Sequence, residues 1–218
     1  LDTIIKNYSD TSTVYFLQGL VLTRLRRFDE ALHSFTKAYE LDSSNRETLV
    51  NLGTVYYYKK NFDSARYYLE RTLRMDSTEA NALNALAMVE VELENYDKAH
   101  KILASALSLH QKDPYFLNNR GYIYLLTNEM ESALRDINLS ITLDPYNGWA
   151  YRNKGIYYLN HGRYENALRL LERAESIDPF IEKIYYYLGD AHYRNGNQRE
   201  GCKNFAKALE RKEIDVND

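Results

Sequence analysis

Asparagine and tyrosine are the residues whose chemistry and spacing in this sequence best suit recognition of another molecule. Asn51, Asn119 and Asn153 are separated by multiples of 34 in the sequence, and Ala85 interrupts the row that they form. A carboxamide carries one acceptor oxygen and two N–H donors, so it can pair with both polar groups of a peptide unit. The 21 tyrosines add large, flat contact surfaces with a polar end. Two interpretations follow: the row of side chains holds an extended peptide by its backbone, or asparagine is simply common at this position without a role in binding.

Residues that could support catalysis or bind a metal do not occur in a suitable arrangement. The five histidines are scattered through the sequence without metal-ligand spacing. The sequence contains neither a glycine-rich phosphate-binding loop nor a nucleophile elbow. The single cysteine, Cys202, is expected to pack against neighbouring helices and to be unreactive. We therefore predict a protein without catalytic residues, without a metal and without a cofactor.

An internal repeat with a period of 34 organises the chain. Small residues recur at this spacing in two independent series, without an insertion or a deletion. The first series is Gly19, Gly53, Ala87, Gly121, Gly155 and Gly189. The second series is Ala31, Ala65, Ala99, Ala133, Ala167 and Gly201. Six units are predicted, over residues 12–45, 46–79, 80–113, 114–147, 148–181 and 182–215, followed by a tail at 216–218.

Each unit has the apolar spacing of two helices. In the second unit, Leu49, Leu52 and Tyr56 follow the stripe of a first helix, which ends in a polar turn at residues 60–61. The second helix is marked by Phe62, Ala65, Leu69 and Leu73. The small residues are expected where the two antiparallel helices cross, because a larger side chain would push the helices apart. The spacing therefore predicts an all-α chain of six helix–turn–helix repeats.

The repeated unit resembles the tetratricopeptide repeat, a helix–turn–helix with the same period. The fifth unit carries the residues of that pattern, namely Tyr151, Gly155, Tyr158, Gly162, Tyr164, Ala167, Leu171, Ala174 and Pro179. It departs from the pattern at Lys154, which precedes the glycine, and at Leu171, where phenylalanine is usual. The resemblance covers residues 12–215 and implies a right-handed α–α superhelix whose first helices line a concave groove. It also implies a non-catalytic scaffold that binds a protein or a peptide in that groove.

The resemblance further implies which side chains face the groove. Matching positions on the first helices place asparagines and aromatic residues there, a mixture that suits protein recognition. The residues predicted to contact a partner are Asn51, Asn84, Tyr115, Asn118, Asn119, Tyr122, Trp149, Arg152, Asn153, Tyr186 and Asp190. The two-carboxylate clamp with which some members of this family bind chaperone C-termini is not expected. Met88 and Trp149 stand where that clamp needs asparagine and lysine.

Arg120 and Lys154 stand at a position that is normally apolar in this family. A buried and unpaired cation is costly, so each is expected to extend into solvent or to meet an acid. If they share a surface with Arg152, the three cations would instead favour an acidic segment of a partner.

The composition excludes several other classes of protein. The 28 Lys and Arg residues are balanced by 31 Asp and Glu residues, so the basic excess of a nucleic-acid-binding protein is missing. No run of residues approaches the roughly 20 consecutive apolar residues of a membrane helix. With 44% apolar residues, the chain is too apolar for a disordered protein. We therefore predict a protein or peptide partner, no nucleic acid and no direct membrane span.

The ends of the sequence indicate a longer protein. Leu1, Ile4 and Ile5 match the second helix of the following unit at the repeat spacing, so residues 1–11 are predicted to be the remnant of a preceding repeat helix. An N-terminal signal ahead of Leu1 would direct the protein to the periplasm or make it a lipoprotein, and without such a signal it would stay in the cytoplasm. No polar capping helix follows the sixth unit. Either another chain covers its last apolar face, which would include self-association through uncapped terminal repeats, or the protein continues beyond it.

Three further interpretations use the same residues. The aromatic and asparagine side chains could bind a glycan, since aromatic faces stack on sugar rings and amides bond to hydroxyl groups. The array could instead be a self-associating structural module. It could also be the part of a larger enzyme that recruits the substrate.

Overall fold

The structure is a computed structural model that describes residues 11–214, and the chain forms helices joined by short turns throughout this range. Twelve helices lie in this range: α1 Ser12–Arg24, α2 Phe28–Leu41, α3 Arg46–Tyr58, α4 Phe62–Met75, α5 Ala80–Glu92, α6 Tyr96–Leu109, α7 Pro114–Leu126, α8 Met130–Leu143, α9 Gly148–Asn160, α10 Tyr164–Ile177, α11 Ile184–Arg194 and α12 Gln198–Glu210. The chain divides into two compact units, unit 1 (Leu1–Leu109) with α1–α6 and unit 2 (His110–Asp218) with α7–α12. Within each unit, successive helices pair as three hairpins.

One backbone conformation ends the first helix of every hairpin. A residue with a positive φ follows each of these helices, namely Arg26, Lys60, Glu94, Asn128, Gly162 and Gly196. The next amide donates back across the turn, as from Asn61 N to the Tyr56 carbonyl at 3.0 Å. This hydrogen bond belongs to the Schellman motif, which satisfies the last carbonyl groups of a helix. The chain therefore reverses within a few residues, and the second helix returns alongside the first.

Acidic and amide side chains mark the helix ends. Asn61 Oδ1 accepts a hydrogen bond from a first-turn amide of α4 at 3.1 Å. Asp29 and Asp63 lie in the first turns of α2 and α4, where a negative charge complements the helix dipole. Asp144 and Asp178 directly follow α8 and α10.

The small residues lie where paired helices cross, as the repeat spacing predicts. A Cβ atom added to Gly53 would come within 2.6 Å of Leu69 Cγ, and one added to Gly155 within 2.7 Å of Leu171 Cγ. Both leucines are fully buried. Glycine therefore lets the two helices of a hairpin approach closely enough for one leucine to fill the space between them.

Apolar residues on the facing sides of the helices form the core of each unit. Burying one large apolar side chain stabilises the folded state by about 2 kcal/mol. In unit 1 the buried apolar residues include Leu22, Ala31, Phe35, Leu52, Val55, Ala65, Leu69, Leu86 and Val89. In unit 2 they include Ala133, Ile137, Ala150, Ile156, Ala167, Leu171, Ala174, Ile181, Ile184 and Leu188.

Each of the six predicted repeats contains one pair of helices, from α1 and α2 in residues 12–45 to α11 and α12 in residues 182–215. The helix remnant predicted over residues 1–11 lies outside the described residues, apart from Thr11. Thr11 has an extended backbone, with φ −99° and ψ 135°, and directly precedes α1. The predicted tail at 216–218 also lies outside the described residues.

Candidate partner-binding surface

The eleven residues predicted to contact a partner differ in their exposure. Tyr115 is exposed. The half-buried residues are Asn51, Asn84, Asn119, Tyr122, Trp149, Tyr186 and Asp190. The buried residues are Asn118, Arg152 and Asn153. Nine of the eleven lie in unit 2, on α7, α9 and α11, and these nine define the candidate surface.

Arg152 on α9 contacts three other members of the surface directly, and only 4% of it is exposed. Its guanidinium carbon lies 4.7 Å from the ring centroid of Trp149 and 4.9 Å from that of Tyr122. The ring of Tyr187 lies 6.0 Å away. At such distances the electron-rich faces of the rings attract the cation. Aromatic rings therefore stabilise the charge where water is excluded.

A chain of hydrogen bonds extends from Arg152 to α7. Nε and Nη2 of Arg152 donate to Asn153 Oδ1 at 3.0 and 2.8 Å, and Nη1 donates to the Glu182 carbonyl at 3.0 Å. Asn153 Nδ2 donates to Asn118 Oδ1 at 2.8 Å. Asn118 Nδ2 donates to Asn119 Oδ1 at 3.1 Å. The chain joins α9 both to α7 and to the loop that precedes α11.

The buried asparagines are placed differently from the prediction that they face a groove. Asn153 Oδ1 accepts two hydrogen bonds from Arg152, and its amide group donates to Asn118, so its polar atoms serve the protein interior. The physical reason is that a buried guanidinium needs acceptors where water cannot supply them. Asn118, Arg152 and Asn153 therefore position the aromatic side chains, and the accessible surface consists of their neighbours.

Tyr187 on α11 completes this cluster, although it is not among the eleven predicted contact residues. Burial raises the pKa of its phenol far above the ordinary value, and the neighbouring Tyr122 raises it further. Tyr187 stands at the position of Asn153 in the next repeat, so the repeat spacing could have identified it. Glu182 contributes a backbone carbonyl, which no pattern of side chains reveals.

Two other members of the surface make separate contacts in unit 2. The Tyr115 hydroxyl donates to Asp144 Oδ2 at 3.3 Å, and burial, followed by this carboxylate, raises the pKa of Tyr115. Asp190 accepts a hydrogen bond from Arg194 Nε at 2.7 Å. Tyr186 is half-buried on α11. The half-buried aromatic residues around the buried network are therefore Tyr122, Trp149 and Tyr186.

In unit 1, the two predicted contact residues lie on different helices. Asn51 on α3 donates through Nδ2 to the Glu47 carbonyl of its own helix at 2.8 Å. Asn84 is half-buried on α5. The asparagines of the repeated row are therefore not equivalent, because Asn51 bonds to its own helix whereas Asn153 bonds to Arg152.

Arg120 meets an acid, as the sequence predicted. Its Nε and Nη2 donate to the two carboxylate oxygens of Asp136 at 2.6 and 3.1 Å, joining α7 to α8. This hydrogen-bonded pair raises the pKa of Arg120, which remains charged. Lys154 stands at the same repeat position and is half-buried, and it makes no ion pair with a residue that the structure describes. This repeat position therefore carries one residue in an ion pair, Arg120, and one half-buried residue outside any such pair in the described range, Lys154.

Cys202 is exposed on α12, which contradicts the expectation that it packs against neighbouring helices. The buried face of α12 contains Gly201 and Ala208, and the next residue along a helix points about 100° away. Within residues 11–214, no three His, Cys, Asp or Glu side chains are arranged to hold a metal ion. None of the helices in this part of the chain is both long and apolar enough to cross a membrane.

Two sequence models of the tetratricopeptide repeat match the chain. One matches residues 10–78 and 47–112, and the other matches residues 84–148 and 152–211. The chain therefore belongs to the tetratricopeptide repeat family and is an all-α helical repeat protein. Its fold is that of a scaffold for protein–protein interaction, and proteins of this family are generally non-catalytic. No curated protein matches the sequence.

Several solved structures are similar to this chain. A tetratricopeptide repeat protein of Thermus thermophilus has a TM-score of 0.75 at 18% identity, over 84% of this chain and 100% of that chain. A chain of the APC/C hetero-tetramer Cut9–Hcn1 has a TM-score of 0.81 at 15% identity, over 99% of this chain and 43% of that chain. YrrB, a tetratricopeptide repeat protein with an unusual peptide-binding site, has a TM-score of 0.53 at 25% identity, over 85% of this chain and 95% of that chain. The first two similarities concern the fold alone.

Proposed function

We propose that the surface of unit 2 formed by α7, α9 and α11 binds an extended segment of a partner protein. The observation that carries this proposal is the contact of the Arg152 guanidinium with the rings of both Trp149 and Tyr122. The cation holds both rings in place before any ligand arrives. Aromatic side chains that are already ordered provide a large contact area at little entropic cost.

Polar groups next to these rings suit the backbone of an extended peptide. Asn119 Oδ1 accepts a hydrogen bond from Asn118 of the buried network at 3.1 Å, and Asn119 itself is half-buried. A carboxamide has two donors and an oxygen with two lone pairs, so it can link such a network to a peptide group. The similarity to YrrB, which has a peptide-binding site, also favours a peptide ligand.

Selection of random peptides displayed on phage tests the proposal. Binding of a selected synthetic peptide is followed by the fluorescence of Trp149, the only tryptophan. Tyr122→Ala is expected to weaken the affinity by at least about tenfold, because aromatic anchors dominate interface energetics. Tyr193→Ala serves as the matched control, since Tyr193 is an exposed tyrosine of the same unit at the end of α11.

A second variant separates loss of binding from loss of folding. Asn119→Ala removes a half-buried amide, and circular dichroism is expected to show an unchanged helix content with weaker binding. The proposal would be contradicted if the wild type, Tyr122→Ala and Asn119→Ala bound the selected peptide with equal affinity. Soluble oligosaccharides that change the Trp149 fluorescence while no peptide does so would identify the surface as a glycan site instead.

A further inference from the structure

The turns that connect α1 to α2 and α3 to α4 concentrate positive charge in unit 1. Five exposed cations lie in these turns or directly beside them, and we call them the basic edge: Arg24, Arg26, Arg27, Lys59 and Lys60. The acidic residues that begin the next helices are fewer, namely Asp29, Glu30 and Asp63. The excess of cations is local, because the whole chain has a net charge of −3.

The two turns lie side by side. The rings of Phe28 and Tyr58 stack with their centroids 5.3 Å apart and an angle of 18° between the ring planes. Lys59 forms an ion pair with Asp29 of the neighbouring hairpin. The guanidinium carbon of Arg26 lies 5.3 Å from the centroid of the Phe28 ring. The basic edge is therefore one continuous surface.

The acidic residues nearby neutralise only part of this surface. Arg27 pairs with Glu30 at 2.5 Å, and both side chains are more than half exposed. Exposed ion pairs of this kind are weak and exchange readily with other partners. Arg24 and Lys60 make no ion pair with a residue of the described range.

The backbone conformation of Arg26 and Lys60 does not require a basic residue. Both have a φ of 58°, in the left-handed region that is unfavourable for residues with a side chain. The equivalent positions in the other hairpins are Glu94, Asn128, Gly162 and Gly196. The turn therefore forms without a cation, and the two basic residues are not explained by the fold.

We infer that the basic edge binds an acidic segment of a protein partner. Three of its five cations are arginines, whose planar guanidinium groups pair with carboxylates through two hydrogen bonds. Two apolar side chains lie beside them, since Leu25 is 60% exposed and Tyr58 is 44% exposed. These side chains can contact apolar residues that alternate with acids. The inference is independent of the surface proposed in unit 2.

The charge distribution favours a short acidic peptide over a large polyanion. Charges are screened over about 8 Å at physiological salt, so a short segment experiences mainly the local excess of cations. A nucleic acid or an anionic membrane covers more of the surface and meets the net negative charge of the chain. A scaffold for protein–protein interaction also has proteins as its partners.

Fluorescence anisotropy with a fluorescein-labelled peptide of alternating Glu and Leu residues tests this inference. The variants are Arg26→Glu and Lys60→Glu, and both are expected to fold because Glu94 occupies the same turn position with the same φ. Arg74→Glu is the matched control, since it changes the net charge equally but lies about 18 Å along α4 from the turn. Circular dichroism checks the folding of each variant.

We expect each substitution in the basic edge to weaken peptide binding about fivefold, as for the loss of one surface ion pair and the gain of one repulsion. Arg74→Glu should leave the affinity within about twofold, because screening removes its effect at that distance. Glu94→Lys, which extends the basic edge to the third turn of unit 1, should strengthen binding.

Two results of the peptide measurements would overturn the inference. One is that an unlabelled competitor peptide, with Gln in place of every Glu, binds as tightly as the acidic peptide. The other is an equal loss of affinity in Arg74→Glu and in the edge variants. Phosphatidylserine vesicles or single-stranded RNA that bind through the basic edge, while the acidic peptide does not, would overturn its assignment to a protein partner.

Discussion

Arg66 on α4 and Glu90 on α5 form a bidentate ion pair that joins the second hairpin of unit 1 to the third. Nε and Nη2 of Arg66 donate to the two carboxylate oxygens of Glu90 at 2.9 and 3.1 Å. The Glu90 side chain is fully buried and also accepts hydrogen bonds from Lys98 Nζ at 2.8 Å and Asn95 Nδ2 at 2.9 Å. One carboxylate therefore connects three helical segments of unit 1.

Replacing Glu90 by Gln should destabilise the protein strongly. The substitution preserves the shape of the side chain but replaces one carboxylate oxygen by an amide group, whose N–H donors meet the donors of Arg66, Lys98 and Asn95. The lost hydrogen bonds at this buried position should cost about 2 kcal/mol of unfolding free energy. Urea denaturation followed by circular dichroism measures the loss. Lys98→Met is the control, because a half-exposed ion pair contributes about 0.5 kcal/mol. Equal stability of Glu90→Gln and the wild type would show that the pair does not hold the hairpins together.

The same carboxylate should make the stability fall in acid. Burial by itself raises the pKa of Glu90, but hydrogen bonds from Lys98, Arg66 and Asn95 outweigh it, so the pKa lies below its ordinary value. Because the folded pKa is lower than the unfolded value of about 4.3, this stabilisation is complete above that pH and is lost as the pH falls through the folded pKa. Between about pH 6 and pH 3, the urea midpoint of the wild type should fall more than that of Glu90→Gln. Parallel pH profiles for the two proteins would contradict this assignment.

Gly155→Val should test the close crossing of α9 and α10. Even the first added atom would lie 2.7 Å from Leu171 Cγ, and Leu171 is fully buried and cannot move aside. Overpacking of this kind should cost about 3 kcal/mol of unfolding free energy. Asn138→Val on the exposed side of α8 should change the unfolding free energy by no more than about 0.5 kcal/mol. Similar thermal midpoints for both variants would disprove the crowding.

The ion pair between Arg120 and Asp136 should be replaceable by an apolar pair. Leu86 and Ile102 occupy the equivalent positions of the third repeat. Arg120→Leu alone leaves a buried acid without its cation, at a cost of about 3 kcal/mol. Adding Asp136→Ile should restore the unfolding free energy to within about 1 kcal/mol of the wild type. A double-mutant cycle of unfolding free energies, measured by urea denaturation, gives the coupling energy between the two positions. Losses of unfolding free energy that simply add in the double variant would contradict this prediction.

Glu213 should stabilise the start of α11. Its Oε2 accepts hydrogen bonds from the amides of Tyr185 and Tyr186 at 3.0 and 3.2 Å, whereas the side chain of Lys183, which directly precedes the helix, caps none. Glu213→Ala should therefore lower the unfolding free energy by about 1 kcal/mol and speed hydrogen exchange at both amides. Glu210→Ala, an exposed residue of α12, should leave exchange at these amides unchanged. Unaltered exchange in Glu213→Ala would refute the capping role.

The helix pairs followed from the sequence because they depend on local properties. Leu69 follows Gly53 at the same separation at which Leu171 follows Gly155, and each leucine fills the space that its glycine leaves. A contact between two helices joined by a turn of fixed length always has the same sequence separation. The repeat spacing could therefore identify it without coordinates.

The sequence by itself determined the class of fold, the positions of the hairpins and the helices on which the candidate side chains stand. Only the tertiary structure decided which of these side chains are accessible. Arg152 and Asn153 stand on the predicted face of α9, yet they are buried because rings from α7 and α11 close around the guanidinium group. Cys202 was expected to pack against neighbouring helices, but it is exposed because no helix of the described residues covers its side of α12. Residue types and spacing define a face of a helix, but the distance to the next helix decides whether that face meets solvent or protein.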